Sequence, residues 1–202
     1  DHCIAVERRG AGEPVSTSAS LGRSDVIRSN AQESFDRIFR KAARTRLVRQ
    51  AEDMCQISNA AEGHAVSGEE ALILTISSIA FRLLLVLRFD ESEATRAYFT
   101  GEGVGRSFEE ARLEIGNLCC GALNQELLQV FPDLGMSTPY VVSARCLPYL
   151  DVLKPGYTAA YAVTINDTVR VDATVCVCAH APLDFVADVS DEVESGGELE
   201  LF

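Results

Sequence analysis

ALILTISSIAFRLLLVLRF, residues 71–89, decides the fold. Two apolar, β-branched and leucine-rich runs, Ala71 to Ser77 and Phe81 to Phe89, are separated only by Ser78-Ile79-Ala80, and a hairpin is their natural pairing. Upstream, residues 25–50 carry Val26, Ile27, Phe35, Ile38, Phe39, Ala42 and Leu47 mostly at spacings of three and four, which predicts a helix. The pattern weakens over 51–66, and no element is expected there. Downstream, Asp90-Glu91-Ser92 caps a short helix from Glu93 to Tyr98 that stops at Gly101. GEGVG, residues 101–105, lacks a preceding strand and a Walker lysine and reads as a flexible linker. A long helix follows from Ser107 to before Pro132. Strands are expected over Thr138–Cys146, Tyr157–Asn166 and Thr168–His180, with a tight turn at Asn166-Asp167. The sum is an α+β fold: a two-layer sandwich, an antiparallel-rich sheet with long helices packed on one face. Strands do not alternate with crossover helices, which disfavours a dinucleotide fold. The folded domain is expected over 25–183. An N-terminal extension (1–24) precedes it, with one short strand around Cys3 to Val6, and an acidic tail (184–202) that frays or docks weakly follows.

The 202 residues carry 18 Lys and Arg against 30 Asp and Glu, a formal charge of −12. Phosphate would be repelled, so nucleic acid and anionic membranes are poor partners. The basic run Arg37, Arg40, Lys41, Arg44, Arg46 and Arg49 reads as the solvated face of a helix ahead of an anion site. No apolar leader is visible, and the run around 79–89 is too short and too charged to span a bilayer. Seven cysteines are irregularly spaced, without CxxC, and the three histidines do not fall in ligand spacings. All seven thiols are expected to be mostly buried, reduced small hydrophobes, hence a cytoplasmic, reducing setting. No metal or cofactor site of the chain's own is expected.

The long helix, SFEEARLEIGNLCCGALNQELLQVF (107–131), carries two stripes. Phe108, Ala111, Ile115, Leu118, Cys119, Ala122 and Val130 form an apolar side for burial. Glu110, Glu114, Asn117, Gly121 and Asn124 form another. Glu114 and Asn117 stand one turn apart, at about 5–6 Å between Cβ atoms, so an acid and an amide can act on one small target. Ser107 with Glu110 three residues on makes a capping box, an alternative to any binding role for Glu110. A solvated helix face is the plain alternative for Glu114 and Asn117. A stand-alone metabolic enzyme is disfavoured by the lack of a nucleophile–base pair.

Glu114-x-x-Asn117, a small residue at Gly121, and Thr138-Pro139 leading a strand resemble the CheX/CheC/FliY family of chemotaxis phosphatases. That family's signature runs Asp or Ser, Glu four positions on, x-x-Asn, Gly four further, and a Pro about twenty later. ALILTISSIAFRLLLVLRF, DESEATRAYF, EEARLEIGNLCCGAL and STPYVV follow the family's order of elements, and the similarity covers roughly residues 26–180. The resemblance implies a hydrolase acting on the phospho-aspartyl group of a CheY-like response-regulator receiver. By the same carry-over Asn117 orients the attacking water, Glu114 pairs with the receiver's lysine, and Glu110 and Gly121 face the partner. Glu110 stands where the family often has Asp or Ser. Magnesium would belong to the receiver. The helix over 25–50 has no ExxN, so one site is implied, in the CheX-like arrangement, and a homodimer through hydrophobic sheet edges is implied with it. A non-catalytic receiver-binding or dimerising module of the same fold is the alternative.

Overall fold

β2 (Glu70–Ser77) and β3 (Phe81–Phe89) pair antiparallel, with Leu72 opposite Leu87 and Ser77 opposite Arg82. They form the centre of a computed structural model that describes residues 26–60, 66–101 and 105–189. The expected N-terminal strand, the middle of GEGVG and the last thirteen residues of the acidic tail lie outside the described residues. Ahead of the hairpin come α1 (Ser29–Arg46) and β1 (Cys55–Asn59). After it come α2 (Glu93–Thr100), α3 (Phe108–Leu128), β4 (Gly135–Met136) and β5 (Tyr140–Ser143). A 3-10 helix (Ala144–Leu153), β6 (Tyr157–Ile165) and β7 (Val169–Ala179) complete the order. The seven-stranded sheet runs β1-β6-β7-β3-β2-β4, with β5 also on β2, and every pairing is antiparallel.

Alternation along the strands sends Leu72, Leu74, Ile76, Leu83, Leu85, Leu87, Val171, Ala173 and Val175 to one face, where they are buried under α1 and α3. Phe35 of α1 meets Phe81 at 5.8 Å and Phe185 at 5.2 Å, and Phe131 meets Phe81 at 4.9 Å and Phe185 at 5.1 Å, all edge-on. Edge-to-face packing suits the ring quadrupoles and ties helix, sheet and C-terminal segment together. On the other face Ala71, Ile73, Leu84, Val86 and Cys176 form a small cluster against Leu147 and Leu150 of the 3-10 helix. A groove of about 810 Å³ lies between that helix and the sheet.

Four expectations change. β1 occupies the stretch read as featureless: its Gln56, Ser58 and Asn59 are exposed, because it is an edge strand with one partner, β6. The run expected as a strand to Cys146 leaves the sheet after Ser143, whose hydroxyl accepts from the Arg145 amide at 3.4 Å and starts the 3-10 helix. The acidic segment does not fray at 184. Phe185 and Ala187 join the core, and Ser34, fully buried on α1, accepts from the Ala187 amide at 3.0 Å. The edges are also less hydrophobic than expected. β1 is largely polar and its Ile57 carbonyl accepts from Arg40 at 2.8 Å, while β4 and β5 are short.

The local signals hold. Ser92 caps α2, and Gly101 (φ 71°) ends it in the left-handed region that glycine enters without strain. Asn166 (φ 50°) and Asp167 (φ 60°) make the β6–β7 turn. The Asn166 side chain accepts from the Met54 amide at 2.9 Å and donates to Asp53 at 2.6 Å, anchoring the start of β1.

Candidate functional site

α3 begins with the expected capping box. Ser107 accepts from the Glu110 amide at 3.1 Å, and the Glu110 carboxylate accepts from the Ser107 amide at 2.9 Å and its hydroxyl at 3.0 Å. Those bonds, the backbone one foremost, hold the Glu110 carboxyl below its ordinary range. Glu110 thus serves the helix terminus through Oε2.

The helix is fixed from below. Ala111, Ile115, Gly116, Cys119, Cys120, Leu123 and Leu127 are its buried residues. Gly116 lies so close to β2 that an added Cβ would sit 2.2 Å from Leu72 Cδ2. Lys41 of α1 pairs with Glu126 at 2.7 Å. At the N-terminal end Phe108 meets Phe89 edge-on at 6.4 Å, and the Arg96 guanidinium stands 5.0 Å over the Phe108 ring.

This buried arc is rotated from the expected apolar stripe, because Gly116, Cys120, Leu123 and Leu127 carry it. Leu118, expected in the core, is turned out at 44% exposure, and Val130 lies beyond the helix end at 38%. The rotation leaves Glu114, Asn117 and Leu118 together on the open face, with Gly121 one turn further on. A Cβ at Gly121 would meet nothing, so the surface there is low and open to a close approach. Asn124, half-buried, ends the stripe with a buried Oδ1 that has no hydrogen-bond partner among the described residues.

Glu114 and Asn117 are both exposed, and among the described residues the Asn117 amide makes no hydrogen bond. Glu114 forms an ion pair with Arg106, a residue sequence reasoning missed. The available signal was a basic residue directly before the N-cap, but its reach back along the helix is a matter of tertiary placement. An unengaged carboxamide can accept from a water and donate to an oxyanion at once, and a carboxylate one turn away can hold a cation. Glu110, Glu114, Asn117 and Gly121 thus share one face of α3, with Glu110 Oε2 accepting from the cap.

The two cysteines of α3 are buried thiols, not nucleophiles. Burial pushes the Cys119 thiol far up, and the Cys120 thiol up to about 12. Cys176 is also buried, Cys55 and Cys178 are half-buried, and Cys146 is exposed, against the expectation for it. Among the described residues no helix is long and apolar enough to cross a membrane.

No family model matches the chain, and no curated protein matches it. Solved structures do. The chain is similar to the chemotaxis protein CheX from Vibrio vulnificus, at 16% identity and TM-score 0.45, over 72% of this chain and 97% of that one. It is similar to a CheC-like superfamily protein from Shewanella sp. PV-4, at 12% identity and TM-score 0.47, over 75% and 99%. A third is the CheX of a CheX–CheY–BeF3–Mg2+ complex from Borrelia burgdorferi, at 12% identity and TM-score 0.47, over 72% and 96%. The structural neighbours are CheX/CheC-like chemotaxis proteins, and the fold is the α+β arrangement expected.

Proposed function

We propose that this chain is a phosphatase that hydrolyses the phospho-aspartyl group of a CheY-like receiver domain in bacterial chemotaxis signalling. The observation that carries the proposal is the Glu114–Asn117 pair, exposed one turn apart on a helix locked to the sheet, with the Asn117 amide unengaged. An acyl phosphate is already activated, so positioning and charge stabilisation suffice without a covalent nucleophile. Asn117 Oδ1 would accept a hydrogen bond from the water and its Nδ2 would donate to a phosphoryl oxygen. Water oxygen bonds to phosphorus, the P–O bond to aspartate breaks, and the aspartate leaves as carboxylate with inorganic phosphate as the other product. Glu114 would hold the receiver's active-site lysine. Gly121 lets the partner backbone come close, and the exposed Leu118 adds apolar contact between the polar groups. Magnesium would come with the receiver, the class of partner that the Borrelia CheX holds in its complex.

The same proposal places the protein in the cytoplasm as a homodimer. The six described cysteines are all unpaired, which supports a reducing setting. Tyr149 and Val152, 71% and 72% exposed on the 3-10 helix beside the β5 edge, support self-association on that side.

The test is the decay of phosphorylated receivers from the same genome, with the wild type and with Asn117→Ala. Accelerated decay that drops about a hundredfold in the variant is expected, with binding of the BeF3-activated receiver kept. Unaccelerated decay alongside measurable binding would sink the catalytic assignment and leave the receiver-binding module.

A further inference from the structure

We infer that the groove between the 3-10 helix and the sheet binds a small amphipathic carboxylate, an acyl chain bearing one carboxylate head. The groove lies across the sheet from α3, so the inference does not rest on the phosphatase proposal. Its volume of about 810 Å³ falls in the range of sites that enclose small molecules. The register of three adjacent strands gives it a direction. On the face away from α1 and α3, β2 presents Ile73, Thr75 and Ser77 in turn, and β3 presents Leu84 opposite Thr75 and Arg82 opposite Ser77. β7 continues the row, with Cys178 opposite Arg82 and His180 just beyond the strand's end. All three strands therefore pass from apolar to polar toward the same end of the groove. Ile73 to Ser77 covers about 13 Å of strand, which an acyl chain of medium length spans.

One end is apolar: Ile73 and Leu84, each 7% exposed, pack there with Val142, Leu147 and Leu150. The other end is basic. Arg82 and His180 are exposed, and among the described residues the Arg82 guanidinium has no hydrogen bond or ion pair. Asp133, beside the hairpin turn, accepts from the Ser78 hydroxyl at 3.0 Å and the Ile79 amide at 2.7 Å, and does not pair with Arg82. Among the described residues no carboxylate lines the groove, and Asp151, the one acid of the 3-10 helix, stands outside the lining. In a chain of formal charge −12, a stretch lined by arginine and histidine without an acid reverses the local sign and draws an anion. The arginine fork matches a carboxylate with two parallel donors, and the Ser77 hydroxyl can add a third. The apolar end gains by covering the methylenes that follow the head. A hydrophobe without a head would leave Arg82 unmatched, and a bare anion would leave Ile73 and Leu84 uncovered.

The experiment titrates decanoate, octanoate and decanol into the wild type, Arg82→Gln and Arg82→Lys by calorimetry, and follows alkylation of Cys146 by iodoacetamide in parallel. Cys146 is exposed and lines the groove, so its protection reports where the ligand sits. Decanoate is expected to bind and to slow Cys146 alkylation. Octanoate, two methylenes shorter, is expected to bind about fifteenfold more weakly. Arg82→Gln should weaken decanoate about fivefold and leave decanol unchanged, while Arg82→Lys, which keeps the charge, should retain most of the affinity. Decanoate that does not protect Cys146, no dependence on chain length, or an equal loss of decanoate and decanol in Arg82→Gln would overturn the inference. Protection of Cys146 that rises with protein concentration and not with decanoate would also overturn it, and would assign the groove to a second copy of the chain.

Discussion

Gly116→Ala tests whether α3, and with it Asn117, is held where the structure has it. The added methyl would lie 2.2 Å from Leu72 Cδ2 and 3.5 Å from Leu72 Cγ and Leu74 Cδ1. Carbon atoms in good contact are about 3.5–4.0 Å apart, so the first of these must open by more than an ångström. Leu72 is 2% exposed and has no route to solvent. Either its side chain leaves its rotamer or the helix lifts from β2. Overpacking of this kind costs about 1–3 kcal/mol. Replacing a mid-helix glycine by alanine recovers about 1 kcal/mol of backbone propensity. The balance is a loss of about 1 kcal/mol, or about 2–4 °C in Tm for a chain of this size. Urea unfolding followed by far-UV circular dichroism measures it. Leu72→Ala alone should cost about 2–5 kcal/mol through the cavity it leaves. Because that cavity accepts the new methyl, the double variant should lose less than the sum of the two. Stabilisation by Gly116→Ala, or strict additivity with Leu72→Ala, would refute the close seating of α3 on β2.

Two further outcomes are expected. Ser34→Ala should leave the Ala187 amide without its acceptor and remove the hydroxyl shared between the Asn30 carbonyl at 2.7 Å and the Phe185 carbonyl at 3.1 Å. A cost of about 1–3 kcal/mol is expected, with hydrogen exchange across 183–189 accelerated, and unchanged protection at Ala187 would show that the segment is held otherwise. The Asp90 carboxyl is opposed by burial, but hydrogen bonds from Ser67 and Ser92 outweigh it and hold the group down at about 2. A folded-state value below the unfolded one contributes stability that is full above about pH 4 and is lost as pH falls through about 2. With solvent screening that contribution is about 1 kcal/mol, and Asp90→Asn should flatten the stability profile over that window, whereas an unchanged profile would exclude Asp90 as its source.

Much of the fold was legible because the forces that set it are local. The Ser92 and Ser107 caps, the stop at Gly101, the Asn166-Asp167 turn and the β2–β3 hairpin each depend on a few adjacent residues whose backbone preferences suffice. The Glu114–Asn117 spacing was legible for the same reason, since a helix fixes which residues share a face. β1 was not legible: Gln56, Ser58 and Asn59 carry no strand signal of their own, and only the free edge of β6 makes them one. Phe185 and Ala187 sit in an acidic stretch that reads as tail until Ser34 and the rings of Phe35 and Phe131 receive it.

The sequence by itself determined the three α-helices, the hairpin, the caps and the pair of polar residues on one helical face, because these follow from periodicity and short-range hydrogen bonding. Only the tertiary structure decided how far α3 is rotated on the sheet, which turns Leu118 outward and puts Gly116 against Leu72. It alone decided that Arg106 lies beside Glu114. Rotation and ion pairing depend on which volumes fill the space beneath a helix and where a long side chain can reach, and neither quantity is encoded within one turn of the residue it concerns.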